Sequence, residues 1–264
     1  MKNIKESNFY HFSVDDVFQS LIEITDRKIG LFEHPFFSFL KNIHDEFDTN
    51  VDLYLFFQKE VDGKLRNLKE ISESIKETLI KNTWIRFGPH SLDPLTKPYS
   101  QTPNEQIEDF DKIYNEISRF SGIENISKWV RLHYFSESYE LRDYFKSKGV
   151  EGLFTTDKDR ITTRMSNSVN ESLRKTGFAE HNGLKLIRSN IRIENISSED
   201  IRPEELLKLV KDHLEKYGHI CFFTHEYELV SDKNKFVEEK LCEKTRNITK
   251  ELIKELYNSK IPSI

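Results

Sequence analysis

The sequence predicts an α/β protein built on about seven mainly parallel strands, arranged as a (β/α) barrel. Three observations carry that prediction. First, seven short runs, at residues 9–14, 51–57, 83–87, 128–135, 152–155, 184–193 and 219–224, are mostly β-branched or aromatic. Most are nearly continuous in apolar character, as strands buried on both faces are. Second, amphipathic helical stretches fall between them, and such alternation implies parallel neighbours joined by right-handed crossovers. Third, the chain has 264 residues, 36% of them apolar. That suits one large α/β domain or two small ones; a single domain over 1–264 is expected, and seven strands in that length favour a barrel over an open sheet.

The helices follow from spacing. Residues 36–47 put Phe36, Phe39, Leu40, Ile43 and Phe47 on one face, and 68–80 place Leu68, Ile71, Ile75 and Leu79 three or four apart. Residues 105–120 do the same with Ile107, Phe110, Ile113 and Ile117. The stretch 139–148 ends at Gly149, and Pro203–Tyr217 begins with proline and ends at Gly218. Residues 234–258 form a long, charged C-terminal helix, suited either to packing on the barrel or to a homodimer contact. The region 160–195 breaks the rhythm. Its polar Ser166–Asn170 and the turn His181-Asn182-Gly183 read as a surface excursion with a hairpin.

Composition narrows the function. The net charge is −5 with 32% charged residues, so no basic excess draws the chain to nucleic acid or anionic lipid. Apolar stretches such as Val51–Phe57 are far too short for a membrane span, and Met1-Lys-Asn-Ile-Lys-Glu6 lacks a secretion core. Cys221 and Cys242 are the only cysteines and have no CxxC spacing. A reducing, cytoplasmic location is expected.

The polar residues gather at strand ends. Asp15 and Asp16 follow the first strand, and His90 follows the third. Arg131 and His133 lie in the fourth, Asp157 and Asp159 follow the fifth, and His225 and Glu226 follow the last. In parallel α/β folds the C-terminal strand ends make the functional face. Two adjacent carboxylates are costly unless a cation or a proton relieves them. Carboxylate with imidazole suits Zn²⁺ or a similar divalent ion with an open position for water. Each member also has a plainer reading. Asp15-Asp16 is a fitting N-cap for a helix opening at Val17-Phe18. Arg131 is a fitting ion-pair partner for Asp15 or Asp157, and Asp157 and Asp159 are fitting turn residues. His11 and His34 sit near the same end without a specific role.

At these residues the chain resembles the polysaccharide deacetylase family, the NodB-like carbohydrate esterases of family 4 type. Ser13-Val14-Asp15-Asp16 resembles that family's Thr-Phe-Asp-Asp motif, which implies Asp15 as general base and Asp16 as metal ligand. His90-Ser91 resembles the opening of its His-Ser/Thr-x-x-His motif, which implies His90 as ligand. Arg131-Leu-His-Tyr134 resembles Arg-Pro-Pro-Tyr/Phe, which implies that Arg131 orients the base and the Tyr134 N–H helps hold the oxyanion. Phe223-Thr-His225 resembles the closing Leu-x-His, which implies His225 as general acid. The resemblance also implies a distorted (β/α) barrel.

One position departs. The second histidine of the metal motif falls at Pro94, whose side chain cannot bind a metal. His133 is the expected replacement and Asp93 the runner-up. The expected fourth-motif Trp is missing near Asp157, which keeps only a supporting role toward Arg131. The implied activity is metal-dependent hydrolysis of an amide C–N bond, with Zn²⁺ as cofactor. The implied partner is an N-acetylated sugar, a glycan precursor or another small N-acylated substrate. The alternative is an inactive deacetylase-like barrel, its metal site decayed at Pro94, that binds carbohydrate or a partner.

Overall fold

The computed structural model describes residues 8–136, 139–158, 165–181, 183–197, 202–230 and 238–264. The strands in chain order are β1 (Phe9–Val17), β2 (Val51–Phe56), β3 (Gln58–Val61), β4 (Lys64–Asn67), β5 (Ile85–Ser91), β6 (Trp129–Val130), β7 (Gly152–Thr155), β8 (Phe178–His181), β9 (Leu184–Arg188), β10 (Ile191–Arg192) and β11 (His219–His225). A five-stranded sheet runs β10-β11-β1-β2-β5, all parallel. Its central strands are buried along nearly their whole length, as the continuous apolar runs require. Each fully buried Phe, Leu or Ile there contributes about 1.5–3 kcal/mol. A second sheet runs β6-β7-β9-β8, in which β8 alone pairs antiparallel.

Of the predicted barrel of about seven mainly parallel strands, the described residues show the α/β class and the parallel five-stranded sheet, with further strands in a second sheet. Among the described residues the ladder does not close, because β6 and β10 are two residues long. A lone parallel bridge, Phe87 to Ile126, links β5 to the chain just before β6. The predicted strand at 128–135 keeps only β6, then turns through a short 3₁₀ segment, His133–Phe135. The predicted helix at 68–80 is two 3₁₀ turns and a short helix, Lys76–Ile80. There Asn67 and Ser72 accept bonds from Lys69 N and Ser74 N, and such local bonds compete with a continuous helix. The hairpin β3–β4 was not predicted, although Asp62-Gly63 is a strong hairpin turn signal.

The stretch 160–195 is not simply a surface excursion. It holds a helix, Asn167–Thr176, and the β8–β9 hairpin, but β9 lies beside β7 and β10 beside β11. The apolar Leu184, Leu186 and Ile187 are buried, which draws β9 into the sheet. Residues 159–164 lie outside the described residues, Asp159 among them. The C-terminal helix is Glu239–Asn258, and it buries Cys242, Leu252, Ile253 and Leu256. Among the described residues no helix is long and apolar enough to cross a membrane.

Candidate metal centre and acid–base site

The strand ends of the five-stranded sheet and of β6 converge on one cleft of about 210 Å³. Asp15, His90, Arg131, His133, Tyr134 and His225 all line it. Parallel pairing of β1 with β11 sets Asp15 directly beside His225.

Alternation along a strand would send Asp15 and Asp16 to opposite faces. The structure resolves this with a bulge: the β1–β2 register shifts between Val14 and Val17, and Asp16 takes a left-handed φ of 61°. Asp tolerates that region better than most residues. A second irregularity, between Leu55 and Phe56 of β2, falls where β5 carries His90. The plainer reading of Asp15-Asp16 as a helix cap is overturned. The helix that follows, Gln19–Arg27, has its first N–H groups capped by Glu226, which accepts from Phe18 N, Gln19 N and Ser20 N at 3.1, 3.0 and 2.8 Å. The cap comes from the far end of the chain and leaves both aspartates to the cleft.

Three donor atoms meet at one point. Asp16 Oδ1 lies 3.3 Å from His90 Nε2 and 3.8 Å from His133 Nδ1, and the two imidazole nitrogens are 3.1 Å apart. All three atoms lie within 4.8 Å of one another. The far side of each ring fixes its tautomer. His90 Nδ1 donates to the Arg131 carbonyl at 2.7 Å, and His133 Nε2 donates to the Pro94 carbonyl at 3.2 Å. A carbonyl only accepts, so both outer nitrogens carry hydrogen, which leaves the two inner nitrogens as the positions that can present lone pairs. Asp16 Oδ1 is buried and has no hydrogen-bond partner of adequate geometry. Facing lone pairs around a buried, orphaned carboxylate oxygen fit a divalent cation. Burial and the nearby His90 push the His133 pKa down to about 4, so that ring is neutral at neutral pH. Burial also opposes the charged Asp16 carboxylate, but the cluster of His90, His225 and His133 around it outweighs that and holds its pKa well below the usual range.

Beside this trio lie two ion pairs. Arg131, almost fully buried, donates from Nη1 to Asp15 Oδ1 at 3.0 Å and to Ser13 Oγ at 2.5 Å, and from Nη2 to Ser189 Oγ at 3.3 Å. Its guanidinium stacks over Phe223 at 4.2 Å and Phe154 at 5.1 Å. His225 Nδ1 lies 2.7 Å from Glu194 Oε1. Burial disfavours the imidazolium, yet the Glu194 bond and charge, with Asp16 and Asp15, raise the His225 pKa to about 9.

Not every predicted residue sits where the resemblance implied. Asp157 pairs with Arg192 at 3.4 Å rather than with Arg131, whose carboxylate partner is Asp15. Asp93 is outside the metal trio and is committed to its own turn. Tyr134 and Phe135 both adopt left-handed φ, 55° and 51°, at a cost on the order of 1–3 kcal/mol each. His11 pairs with the buried Asp52, and His34 pairs with Glu23, so both are structural. Glu194 was missed, though it directly follows the predicted strand 184–193 and so obeys the same strand-end rule. Ser189, which with Ser13 seats Arg131, carried no sequence signal. Larger clefts exist, one of about 560 Å³ around Glu23, His34 and Arg246, but the trio is not part of them.

No protein-family model and no curated protein matches the chain. Solved structures do. A 4-α-glucanotransferase from Thermococcus litoralis matches with TM-score 0.54 and 13% identity, covering 98% of this chain and 39% of that one. The chain thus spans about two fifths of the glucanotransferase's length. A mutant of a CE4-family pseudoenzyme from Bacillus anthracis matches with TM-score 0.50 and 11% identity, covering 98% of this chain and 67% of that one. A polysaccharide deacetylase from Bacillus cereus matches with TM-score 0.48 and 11% identity, covering 97% and 92%. At such identities the likeness is one of fold. The chain has the fold of a CE4-family protein, as its strand-end motifs led one to expect.

Proposed function

We propose that the chain is a metal-dependent hydrolase of amide C–N bonds that removes the acetyl group of an N-acetylated sugar or glycan precursor. The observation that carries the reading is the donor trio of Asp16, His90 and His133, whose outer N–H groups are spent on backbone carbonyls and whose inner lone pairs face one another. A divalent ion, with Zn²⁺ the best match to one carboxylate and two imidazoles, supplies Lewis acidity toward the scissile carbonyl when bound. Asp15, beside the trio, takes the proton of the attacking water, and Arg131 fixes the direction of its carboxylate. His225, cationic at neutral pH, gives a proton to the leaving amine, and Glu194 holds the ring in place. The strained turn at Tyr134 brings backbone to the mouth of the cleft, where its N–H serves the developing oxyanion. His133 answers the objection raised by Pro94. A pseudoenzyme shares the fold, so the fold does not ensure turnover, and the replacement ligand is what favours an active site here.

The test is acetate release from a panel of N-acetyl sugars and oligosaccharides by the zinc-loaded chain, measured across pH. Release is expected, with a fall at alkaline pH. The His225 pKa is raised from 6.5 to about 9, so the proton it must donate is present below that value and lost above it. Glu194→Gln removes the largest raising influence and moves the fall to lower pH. A panel without any acetate release contradicts the substrate class. An alkaline limb that stays put in Glu194→Gln contradicts the role of His225.

A further inference from the structure

We propose that Asp93 is a positioning residue for the His133 ligand: by bracing the turn that carries Pro94, it holds the Pro94 carbonyl against His133 Nε2 and so aims Nδ1 at Asp16 and His90. The proposal rests on the metal-site reading above and deepens it. The geometry starts from what proline leaves available. Pro94 has no N–H to donate and no side-chain ligand, so its carbonyl is its one strong polar group. That carbonyl accepts from His133 Nε2 at 3.2 Å and decides which nitrogen of the ring keeps a lone pair.

The other ligand ring, His90, is steadied by the carbonyl of the buried Arg131. Pro94 has no such burial around it. The next residue, Leu95, is 87% exposed, so the turn projects into solvent. A carbonyl on an exposed turn orients a ligand only if the turn itself is fixed. Asp93 supplies that constraint with four bonds. Its Oδ1 accepts from Leu95 N at 3.0 Å, from Thr96 N at 2.8 Å and from Thr96 Oγ1 at 2.8 Å. Its Oδ2 accepts from Gln58 Nε2 at 3.3 Å, tying the turn to β3. Ser91 Oγ closes the base of the loop on the Thr96 carbonyl at 3.0 Å. The carboxylate that sequence offered as a spare ligand thus works one step further out, on the group that orients the ligand which replaced the missing histidine.

The experiment compares the metal-free chain and its Asp93→Ala variant by ¹⁵N shifts of the histidine rings, then measures zinc affinity by competition with a chromophoric chelator. In the unmodified chain His133 is expected to carry its proton on Nε2 alone. In Asp93→Ala the ring becomes a mixture of tautomers, and zinc affinity falls by about 10–100-fold, the usual effect of losing an outer partner of a ligand. Asp93→Asn keeps an oxygen for the Leu95 and Thr96 N–H groups and restores both readouts. Thr96→Val, which removes one of the four bonds, shifts both less and in the same direction. An Asp93→Ala chain with an unchanged His133 tautomer and unchanged zinc affinity overturns the proposal. Failure of the unmodified chain to take up zinc would instead overturn the metal reading, and the tautomer comparison still decides the part played by Asp93.

Discussion

Asp15→Asn is expected to keep its metal and to lose turnover by about 10²–10⁴-fold, the usual weight of a positioned general base. The substitution preserves shape and still offers an oxygen to Arg131 Nη1, now 3.0 Å from Asp15 Oδ1. It removes only the capacity to take a proton. The trio of Asp16, His90 and His133 does not include Asp15, so metal content should stay at its normal level. Acetate release and zinc content measured on the same sample separate the two effects. Turnover at the normal rate in Asp15→Asn would remove Asp15 as the base. Loss of metal alongside turnover would mean that Asp15 belongs to the metal centre.

The second large effect is on stability. Arg131→Met is expected to destabilise the fold by about 3–5 kcal/mol, because it leaves the buried Asp15 carboxylate without its cation. Arg131 is among the largest fully buried side chains, seated by Ser13, Asp15 and Ser189 under the rings of Phe154 and Phe223. Methionine fills much of the volume but cannot pair the charge. Adding Asp15→Asn removes the stranded carboxylate, so the double variant should recover part of the loss. Urea unfolding midpoints, with the denaturant slope unchanged, give the comparison. A shift in Arg131→Met below about 1 kcal/mol would show that the pair is solvated rather than buried.

Much of the site was legible in the sequence because one rule carries far: in parallel α/β folds, polar residues at the C-terminal ends of apolar runs share a face. That rule picked out Asp15, Asp16, His90, Arg131, His133 and His225, and the structure brings these to one cleft with its neighbouring trio. What escaped was backbone geometry and long-range pairing. The bulge that turns Asp16 toward Asp15 depends on a register shift against β2, which no local pattern records. Glu226 caps a helix that begins more than 200 positions earlier, so spacing cannot reveal it. The Pro94 carbonyl is a backbone group, invisible when side chains are scanned for ligands. Glu194 is a different case, since it ends an apolar run as the others do and the same rule reaches it. One strand was drawn too long for a physical reason. The run 128–135 is apolar enough to be a strand, but its second half turns at Tyr134 and Phe135 to form the mouth of the cleft.

The most direct measurement is metal stoichiometry, by elemental analysis of untagged chain loaded with Zn²⁺ and then dialysed, beside His133→Ala treated alike. About one ion per chain is expected in the former and its loss in the latter, since removing one of three protein ligands leaves an incomplete site. Unmodified chain that retains no zinc, or His133→Ala that retains it fully, would contradict the claim that His133 has taken the place vacated at Pro94.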